Sequence, residues 1–256
     1  MYANEVARIE GKDKNGSLAS VFSHDGRFIG KGYINHASKI LVRIFIRGDE
    51  VDDKNFYLSR LRAAWEYRKK LGYENCCRVV FAEADILPAL IVDKYGDYLS
   101  VQFLSLGVNM RKALITECLA EIFSPKGIFE RSDVALRKKE GLQEIKGVLY
   151  GEVPDLVEIE ENGLKMLVDV KNGQKTGYFL DQKENRFSAR RYAAGGDVLD
   201  CFCNSGGFTV NCATVAKSVT ACDISQPALD SVMQNAKLNG LENITTVCGD
   251  AFALLR

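Results

Sequence analysis

Glycines and carboxylates follow the ends of three apolar segments near the carboxyl end of the chain. Residues 198–208 are typical of a buried strand that runs into a turn containing Gly206 and Gly207, and then into a helix. Glycines let the backbone approach a ligand closely, and free N–H groups at the start of a helix favour an anionic group. The next apolar strand ends at Asp223, whose carboxylate can accept hydrogen bonds from both hydroxyls of a ribose. The spacing predicts a site for a nucleoside-containing cofactor.

The charge before the turn distinguishes between two cofactors. The dinucleotide fingerprint G-x-G-x-x-G is absent, and Asp200 lies on the strand that enters the turn. A carboxylate there repels a pyrophosphate but can hold the ammonium of a methionine moiety. Asp250 follows the third strand, near the position expected for an adenine amino group. These features favour S-adenosylmethionine over NAD and argue against an NAD-dependent oxidoreductase.

The candidate site gathers residues from all three strand ends. The predicted cofactor-binding residues are Asp200, Asn204, Gly206, Gly207, Asp223, Ile224, Ser225, Asp250 and Ala251. A packing interpretation stays open beside this one. In that interpretation the two glycines only allow close contact between helix and strand, and Asp223 only neighbours a helix cap.

An alternation of strands and helices must position these residues. The pattern predicts strand 197–203, helix 206–216, strand 218–223, helix 226–239 and strand 243–248. Ser225 can cap the second helix and Gly240 ends it. Its apolar face is predicted to consist of Leu229, Val232, Met233 and Ala236. Because strands that alternate with helices pair in parallel, these elements predict the opening of a Rossmann-like sheet.

Two further regions precede this sheet. Residues 17–47 alternate with the period of strands around a turn at Asp25-Gly26, which predicts a small antiparallel barrel or sheet. A helix is expected from the cap at Asp52-Asp53 until Gly72. Residues 78–170 mix strands with a helix at 108–122 and a hairpin that turns at Asn162-Gly163. The predicted domains are residues 1–72, 73–170 and 171–256.

Composition excludes several classes of protein. The 256 residues are 46% apolar and 27% charged, with zero formal net charge, as in an ordinary globular protein. No apolar run is long enough for a membrane span, and the first residues lack a signal-peptide pattern, so we expect a cytoplasmic protein. The eight cysteines mostly lie in apolar runs and are expected to be reduced and buried. Zinc is the alternative at Cys201-Phe202-Cys203, but a second ligand pair is absent, so no metal is predicted.

Longer segments resemble a known family. Residues 172–186 (NGQKTGYFLDQKENR), followed by residues 198–208, are similar to the bacterial 23S ribosomal RNA large-subunit cytosine-5 methyltransferases that carry an N-terminal PUA domain. Residues 83–95 and 130–137 resemble the middle domain of that family. The similarity extends over nearly all the chain. It implies an α/β multi-domain fold with a PUA-like β-barrel, a middle α+β domain and a Rossmann-like class I methyltransferase domain.

The resemblance also implies a reaction and roles for individual residues. The reaction is S-adenosylmethionine-dependent methylation of C5 of a cytosine in 23S ribosomal RNA. By the same resemblance Phe179, Asp181 and Arg186 cover or shape the cofactor pocket, while Tyr178 to Leu180 can also be read as a core strand.

The sequence departs from the family pattern at its end. Only three of about seven strands of such a sheet are visible before Arg256, which suggests a truncated chain. Cytosine-5 chemistry needs a thiolate that adds to C6 of the ring. We assign no cysteine here to that role, because Cys201 and Cys203 are expected to be structural. The catalytic residue is expected beyond Arg256.

Basic residues that could contact RNA phosphates are scattered along the chain. The candidates are Lys31, Lys39, Arg43, Arg47, Arg131 and Arg137. Contacts of this kind give salt-sensitive affinity with little sequence preference. Two alternatives stay open, a methyltransferase of a protein or small molecule and a non-catalytic RNA-binding assembly factor. A homodimer is a further open prediction.

Overall fold

The computed structural model describes residues 1–11 and 14–255, and its first strands form an antiparallel sheet. The strands are β1 (Leu18–Phe22), β2 (Phe28–Ile34) and β3 (Val42–Ile46), paired in the order β1-β2-β3. Gly26 has a φ of +82° in the connection between β1 and β2, as the predicted turn requires. The expected barrel or sheet is therefore a three-stranded sheet in the described part of the chain.

A long helix follows this sheet. Helix α1 (Lys54–Lys70) begins where the Asp53 side chain accepts a 2.9 Å hydrogen bond from the N–H of Phe56. It is followed by Gly72, which has a φ of +78°. Both ends agree with the prediction from the sequence. The helix buries Leu58 and Leu61 on its apolar side.

A five-stranded mixed sheet comes next. Its strands are β4 (Cys76–Phe81), β5 (Leu90–Tyr95), β6 (Tyr98–Phe103), β7 (Gly127–Ser132) and β8 (Ile145–Gly151), in sequential order. Only β6 and β7 pair in parallel among these neighbours, and the crossover between them contains α2 (Leu106–Met110) and α3 (Lys112–Phe123). The single helix expected at 108–122 is thus divided at Arg111. Strand β8 was not foreseen, because it is an edge strand with mostly exposed residues and two glycines.

A hairpin and a parallel sheet form the remaining part. The hairpin consists of β9 (Val157–Glu161) and β10 (Leu164–Val168), and its turn residues Asn162 and Gly163 have φ values of +56° and +75°. Positive φ at both central residues is typical of a type I′ turn, as the Asn-Gly pair predicted. Helix α4 (Lys183–Ala193) then precedes the parallel sheet.

The strand and helix alternation predicted for the last part is confirmed. It consists of β11 (Asp197–Cys201), α5 (Gly207–Ala213), β12 (Ser218–Asp223), α6 (Gln226–Leu238), β13 (Ile244–Cys248) and α7 (Ala251–Leu254). Strands β11, β12 and β13 are parallel neighbours in that order. Val219, Ala221, Leu229 and Val232 lie in the core between this sheet and its helices.

The chain divides into two compact units. The first contains Met1–Asp155 and Val170–Thr176, and the second contains Leu156–Asp169 and Gly177–Arg256. The first unit has a core shared by the N-terminal sheet, α1 and the five-stranded sheet, which is why these elements stay together. The hairpin β9-β10 belongs to the second unit. The division into residues 1–72, 73–170 and 171–256 stays a prediction.

Candidate functional site

The turn after β11 has a strained backbone. Phe202, Asn204 and Gly206 have φ values of +61°, +49° and +83°. Non-glycine residues seldom adopt this region, and the conformation persists only where the surroundings hold it. The N–H of Cys203 donates to the Cys222 carbonyl at 3.0 Å, which ties the turn to β12. The turn is therefore a defined feature of the second unit and follows the carboxyl end of β11.

Asp223 holds the turn from the neighbouring strand. Its Oδ2 accepts a 2.9 Å hydrogen bond from the N–H of Asn204, and its Oδ1 accepts a 3.0 Å bond from the N–H of Ser225. Ser225 in turn caps α6, as predicted. Each carboxylate oxygen has a second lone pair, so Asp223 can still accept ligand hydroxyls. The residue links two loops and keeps the capacity that a ribose contact needs.

Asp200 is a largely desolvated carboxyl group near the same edge of the sheet. Its Oδ2 accepts a 2.6 Å hydrogen bond from Thr209 Oγ1 on α5. Burial raises the pKa of Asp200, and the hydrogen bond from Thr209 opposes that rise. Asp223 raises this pKa further by repulsion, while Arg186 lowers it. A cationic group bound at this place would stabilise the ionised form.

The two glycines are surrounded by other side chains. A Cβ on Gly206 would lie 3.0 Å from Val232 Cγ2, and Gly206 also has a positive φ. A Cβ on Gly207 would lie 2.5 Å from Arg186 Nε. Close packing therefore accounts for glycine at both positions, as the packing interpretation supposed.

The third strand end contributes a helix cap and exposed apolar groups. Asp250 Oδ1 accepts a 2.9 Å hydrogen bond from the N–H of Ala253 and so caps the short helix α7. Ala251 is buried, whereas the Ile224 side chain of the neighbouring loop is 75% exposed. Phe202 and Phe252 place their rings 5.9 Å apart and are both exposed. This aromatic pair was not predicted. The available sequence signal was Phe202, an apolar residue directly after a strand.

Arg186 is buried and bound within the second unit. Its Nη1 lies 2.8 and 3.1 Å from the two carboxylate oxygens of Glu161, and its Nη2 donates to the Phe179 carbonyl at 2.8 Å. Its guanidinium lies 4.0 Å from the centre of the Tyr178 ring. Phe179 is half-buried and Asp181 is exposed. The structure thus gives Arg186 a clear packing role, and Glu161 is a partner that the sequence did not reveal.

Two buried asparagines were also missed. Asn211 Nδ2 donates to the Gly207 carbonyl at 2.9 Å, and Asn235 Nδ2 donates to the Ser205 carbonyl at 3.0 Å. Asn235 lies on the buried side of α6, where Met233 was expected, and Met233 is exposed. By spacing, one face of α6 carries residues 229, 232, 235 and 236, whereas residue 233 points away from that face. The sequence signal for Asn235 was a polar residue at a position where the helical spacing of α6 calls for an apolar one.

Two of the RNA candidates are internal. Arg131 Nη1 donates to the Val170 carbonyl at 3.1 Å, and its Nη2 donates to the Gly173 carbonyl at 2.9 Å. Arg137 donates to the Gln143 carbonyl at 2.7 Å and also bonds to the Phe103 carbonyl. Both side chains are buried. They hold the first unit together and are not available to phosphates in this conformation.

The other four RNA candidates differ in exposure. Arg43 Nη2 lies 2.8 Å from Glu140 Oε1, and its side chain is only 19% exposed. Lys39 and Arg47 are exposed, and Lys31 is half-buried on β2. Lys31, Lys39 and Arg47 are therefore the candidates that a large anion can reach.

The thiols agree with the expectation of reduced, mostly buried cysteines. All eight are free, six of them are buried, and Cys248 is exposed. Burial raises the pKa of Cys203 to about 12 and that of Cys212 above its ordinary value. Within residues 1–11 and 14–255 we find neither a cluster of His, Cys, Asp and Glu that could hold a metal ion nor a helix long and apolar enough to cross a membrane.

Sequence comparisons match both ends of the chain to known families. Residues 1–47 match a family described as a PUA-like domain, and residues 132–252 match S-adenosylmethionine-dependent methyltransferases. The chain is 42% identical to ribosomal RNA large subunit methyltransferase I of Aeromonas hydrophila and 39% identical to the protein of that name from Vibrio cholerae. In both comparisons the match covers 100% of this chain and 67% of the relative.

Solved structures have the same fold. A proposed S-adenosylmethionine-dependent methyltransferase from Streptococcus mutans superposes with a TM-score of 0.80 at 22% identity, over 95% of this chain and 65% of that one. A proposed methyltransferase solved in complex with SAH gives a TM-score of 0.82 at 21% identity, over 95% of this chain and 64% of that one. The chain therefore spans about two thirds of the length of the proteins that it matches.

Proposed function

Because this chain belongs to the ribosomal RNA large subunit methyltransferase I family, we propose that the protein methylates RNA of the large ribosomal subunit. It is an S-adenosylmethionine-dependent methyltransferase by family, and S-adenosylmethionine is its cofactor. One observation carries the proposal for the site. The strained turn, Asp200 and Asp223 meet where the parallel strands β11 and β12 end, and ligands of doubly wound sheets bind at such edges.

The residues at this edge fit the parts of the cofactor. We assign the ribose hydroxyls to Asp223, whose oxygens keep free lone pairs. We assign the methionine ammonium to Asp200, because a cation relieves a desolvated carboxylate. The adenine is assigned to the region of Ile224 and Asp250. When bound, S-adenosylmethionine supplies a methyl group on a sulfonium, and the task of these residues is to bind and orient it.

The finer proposal is methylation at C5 of a cytosine in 23S ribosomal RNA. This reaction requires a thiolate to add to C6 of the base. Cys203 and Cys212 do not fit that role, since burial raises the pKa of each thiol. We therefore assign neither thiol as the nucleophile. The proposal for C5 is supported by the similarity of residues 172–186 and 198–208 to cytosine-5 methyltransferases.

Calorimetry tests the cofactor site. We expect the protein to bind S-adenosylmethionine and SAH but not NAD, and we expect Asp223→Ala to weaken both interactions. Asp230→Ala is the matched control, because Asp230 lies exposed on α6, where its Oδ1 accepts a 2.8 Å hydrogen bond from Gln226. Equal affinities of the two variants would overturn the assignment of Asp223.

Methyl transfer tests the substrate. The protein is incubated with labelled S-adenosylmethionine and unmodified ribosomal RNA, and the modified nucleoside is identified by mass spectrometry. 5-Methylcytidine in 23S RNA is the expected product. Another methylated nucleoside would overturn the finer proposal, and methylation of a protein or metabolite without RNA would overturn the RNA substrate. A protein that binds RNA and cofactor without transfer would be a non-catalytic assembly factor.

Exposed cations of the first unit are proposed to contact RNA phosphates. Lys39→Ala and Arg47→Ala should each weaken RNA binding and reduce the slope of log affinity against log salt by about 1. The thermal stability of both variants should stay near that of the wild type. Unchanged affinity would remove these residues from the RNA surface. We also propose a cytoplasmic location, which the proposed ribosomal substrate supports. The homodimer stays a prediction that light scattering can test.

A further inference from the structure

The hairpin β9-β10 is joined to the cofactor turn by one buried amide. The Asn235 side chain on α6 is 0% exposed. Its Oδ1 accepts a 2.8 Å hydrogen bond from the N–H of Leu167 on β10, and its Nδ2 donates a 3.0 Å bond to the Ser205 carbonyl in the turn. Each end of the amide therefore has a different backbone partner. All three residues lie in the second unit.

A second asparagine, one helical turn further on, binds the hairpin without touching the turn. Asn239 Oδ1 accepts a 2.9 Å bond from the N–H of Lys165, and its Nδ2 donates to the Lys165 carbonyl at 2.7 Å. Lys165 and Leu167 lie two residues apart on β10, so both asparagines satisfy the same strand edge. An isolated two-stranded hairpin is only marginally stable, and α6 supplies the partners that its edge lacks.

The turn needs support of this kind. Its positive φ values at Phe202 and Asn204 are unfavourable for residues with side chains, and external bonds must hold them. Asp223 binds the N–H of Asn204 on one side, and Asn235 binds the carbonyl of the next residue on the other. Asp223 also belongs to the proposed ligand contacts. Asn235 is fully buried, and its side-chain amide bonds to the Leu167 N–H and the Ser205 carbonyl.

We propose that Asn235 is a positioning residue for the cofactor turn, which couples the hairpin β9-β10 to S-adenosylmethionine binding. This rests on the proposed cofactor site after β11. When the bond to Ser205 is lost, the turn spends part of its time in conformations that do not bind ligand. Apparent affinity falls by the fraction of protein that stays competent. Loss of one buried hydrogen bond shifts such a local equilibrium about tenfold.

The experiment compares two variants of the full protein by calorimetry with SAH. In its ionised form the new carboxylate of Asn235→Asp still accepts from the Leu167 N–H but places an acceptor against the Ser205 carbonyl, so the titration is done at alkaline pH, where the carboxyl is ionised. Asn235→Asp should raise the Kd for SAH above that of the control variant, by up to about tenfold as the competent conformation becomes the minor one. Asn239→Ala removes both bonds to Lys165 and the 2.8 Å bond from Asn239 Nδ2 to the Asn235 carbonyl, and it leaves the side-chain bond from Asn235 to Ser205 in place. It should lower the melting temperature while the Kd stays within about twofold of the wild type.

Hydrogen exchange separates positioning from general destabilisation. Asn235→Asp should speed amide exchange in peptides that cover residues 202–207, and saturating SAH should restore their protection. Asn239→Ala should speed exchange in residues 156–169 and at the carboxyl end of α6, and it should leave exchange in residues 202–207 unchanged. If Asn235→Asp does not fold, Asn235→Ser replaces it, since the shorter side chain removes the bond to Ser205, together with the bond to Leu167, without adding a charge.

The outcomes are distinct. Wild-type affinity in the Asn235 variant, or an equal loss of affinity in Asn239→Ala, overturns the positioning role. If the wild-type protein itself does not bind SAH, the proposed cofactor site fails and the role of Asn235 falls with it. Weak binding confined to the Asn235 variant, with faster exchange in the turn, supports the proposal.

Discussion

Replacement of Asp200 by asparagine should make the unbound protein more stable and its cofactor binding weaker. Asparagine has nearly the same shape and can still accept the hydrogen bond that Thr209 Oγ1 donates at 2.6 Å. What changes is the charge, which sits in a desolvated place next to Asp223. The two effects have opposite signs, because the negative charge destabilises the unbound protein, whereas it stabilises the complex with a cationic ligand.

The pH dependence gives the sign of the stability change. Burial raises the pKa of Asp200 above the ordinary value of 3.8, so the folded protein holds the proton more tightly than the unfolded chain. The resulting stabilisation is fully present below the unfolded pKa of about 3.9 and is lost as pH rises through the higher folded pKa. At neutral pH the ionised carboxylate is a net cost. Asp200→Asn should therefore exceed the wild type in stability at neutral pH, and the difference should shrink as pH falls toward about 4.

The binding effect follows from the loss of a charged partner. A hydrogen bond between charged groups contributes about 1.5–3 kcal/mol, against about 0.5–1.5 kcal/mol for a neutral one. Replacement of the carboxylate should therefore cost about 1–2 kcal/mol of binding free energy, which is about a 5- to 30-fold rise in Kd. The same rise should hold for S-adenosylmethionine and SAH, because both carry the amino acid ammonium.

Calorimetry with SAH and thermal melting of the unbound protein measure the two effects. Asp197→Asn is the control, because Asp197 lies on the same strand with a 65% exposed side chain. The Ser218 hydroxyl and Lys217 lower the pKa of Asp197, so its replacement should reduce stability slightly at neutral pH and leave Kd unchanged. An unchanged Kd in Asp200→Asn would refute the ammonium contact. A lower melting temperature would refute the argument from burial.

Three further changes test the surroundings of the site. Glu161→Ala leaves the buried Arg186 without its carboxylate and should lower the free energy of unfolding in urea by about 3–5 kcal/mol. A decrease of less than about 1 kcal/mol would contradict a tight buried pair. Gly207→Ala places a Cβ 2.5 Å from Arg186 Nε and should cost about 1–3 kcal/mol, so an unchanged melting temperature would disprove the close packing. Iodoacetamide should alkylate the exposed Cys248 well before the buried Cys203, whose pKa is raised to about 12, and equal rates in peptide mass spectrometry would contradict this.

Local sequence patterns determined the core of the second unit. Alternating apolar strands and amphipathic helices predicted β11 to β13 with bounds that agree within a few residues, since each element has its own period and stop signals. The glycine turn and the carboxylates near the strand ends followed from connectivity, because parallel strands place their carboxyl ends at one edge. The Asn-Gly hairpin and the caps of α1 and α6 are equally local features.

Tertiary contacts decided how the residues of the site are used. Sequence spacing could not show that Glu161 pairs with Arg186, or that Asn235 joins Leu167 to Ser205, because the partners lie far apart in the chain. Composition marks every arginine as a candidate phosphate contact, yet Arg137 is buried and bonds to carbonyl oxygens. Periodicity is a property of one element at a time, whereas burial and polar pairing depend on which elements meet. Local pattern was therefore sufficient for the alternation of strands and helices and for the turn, and the folded structure showed which side chains hold that turn in place.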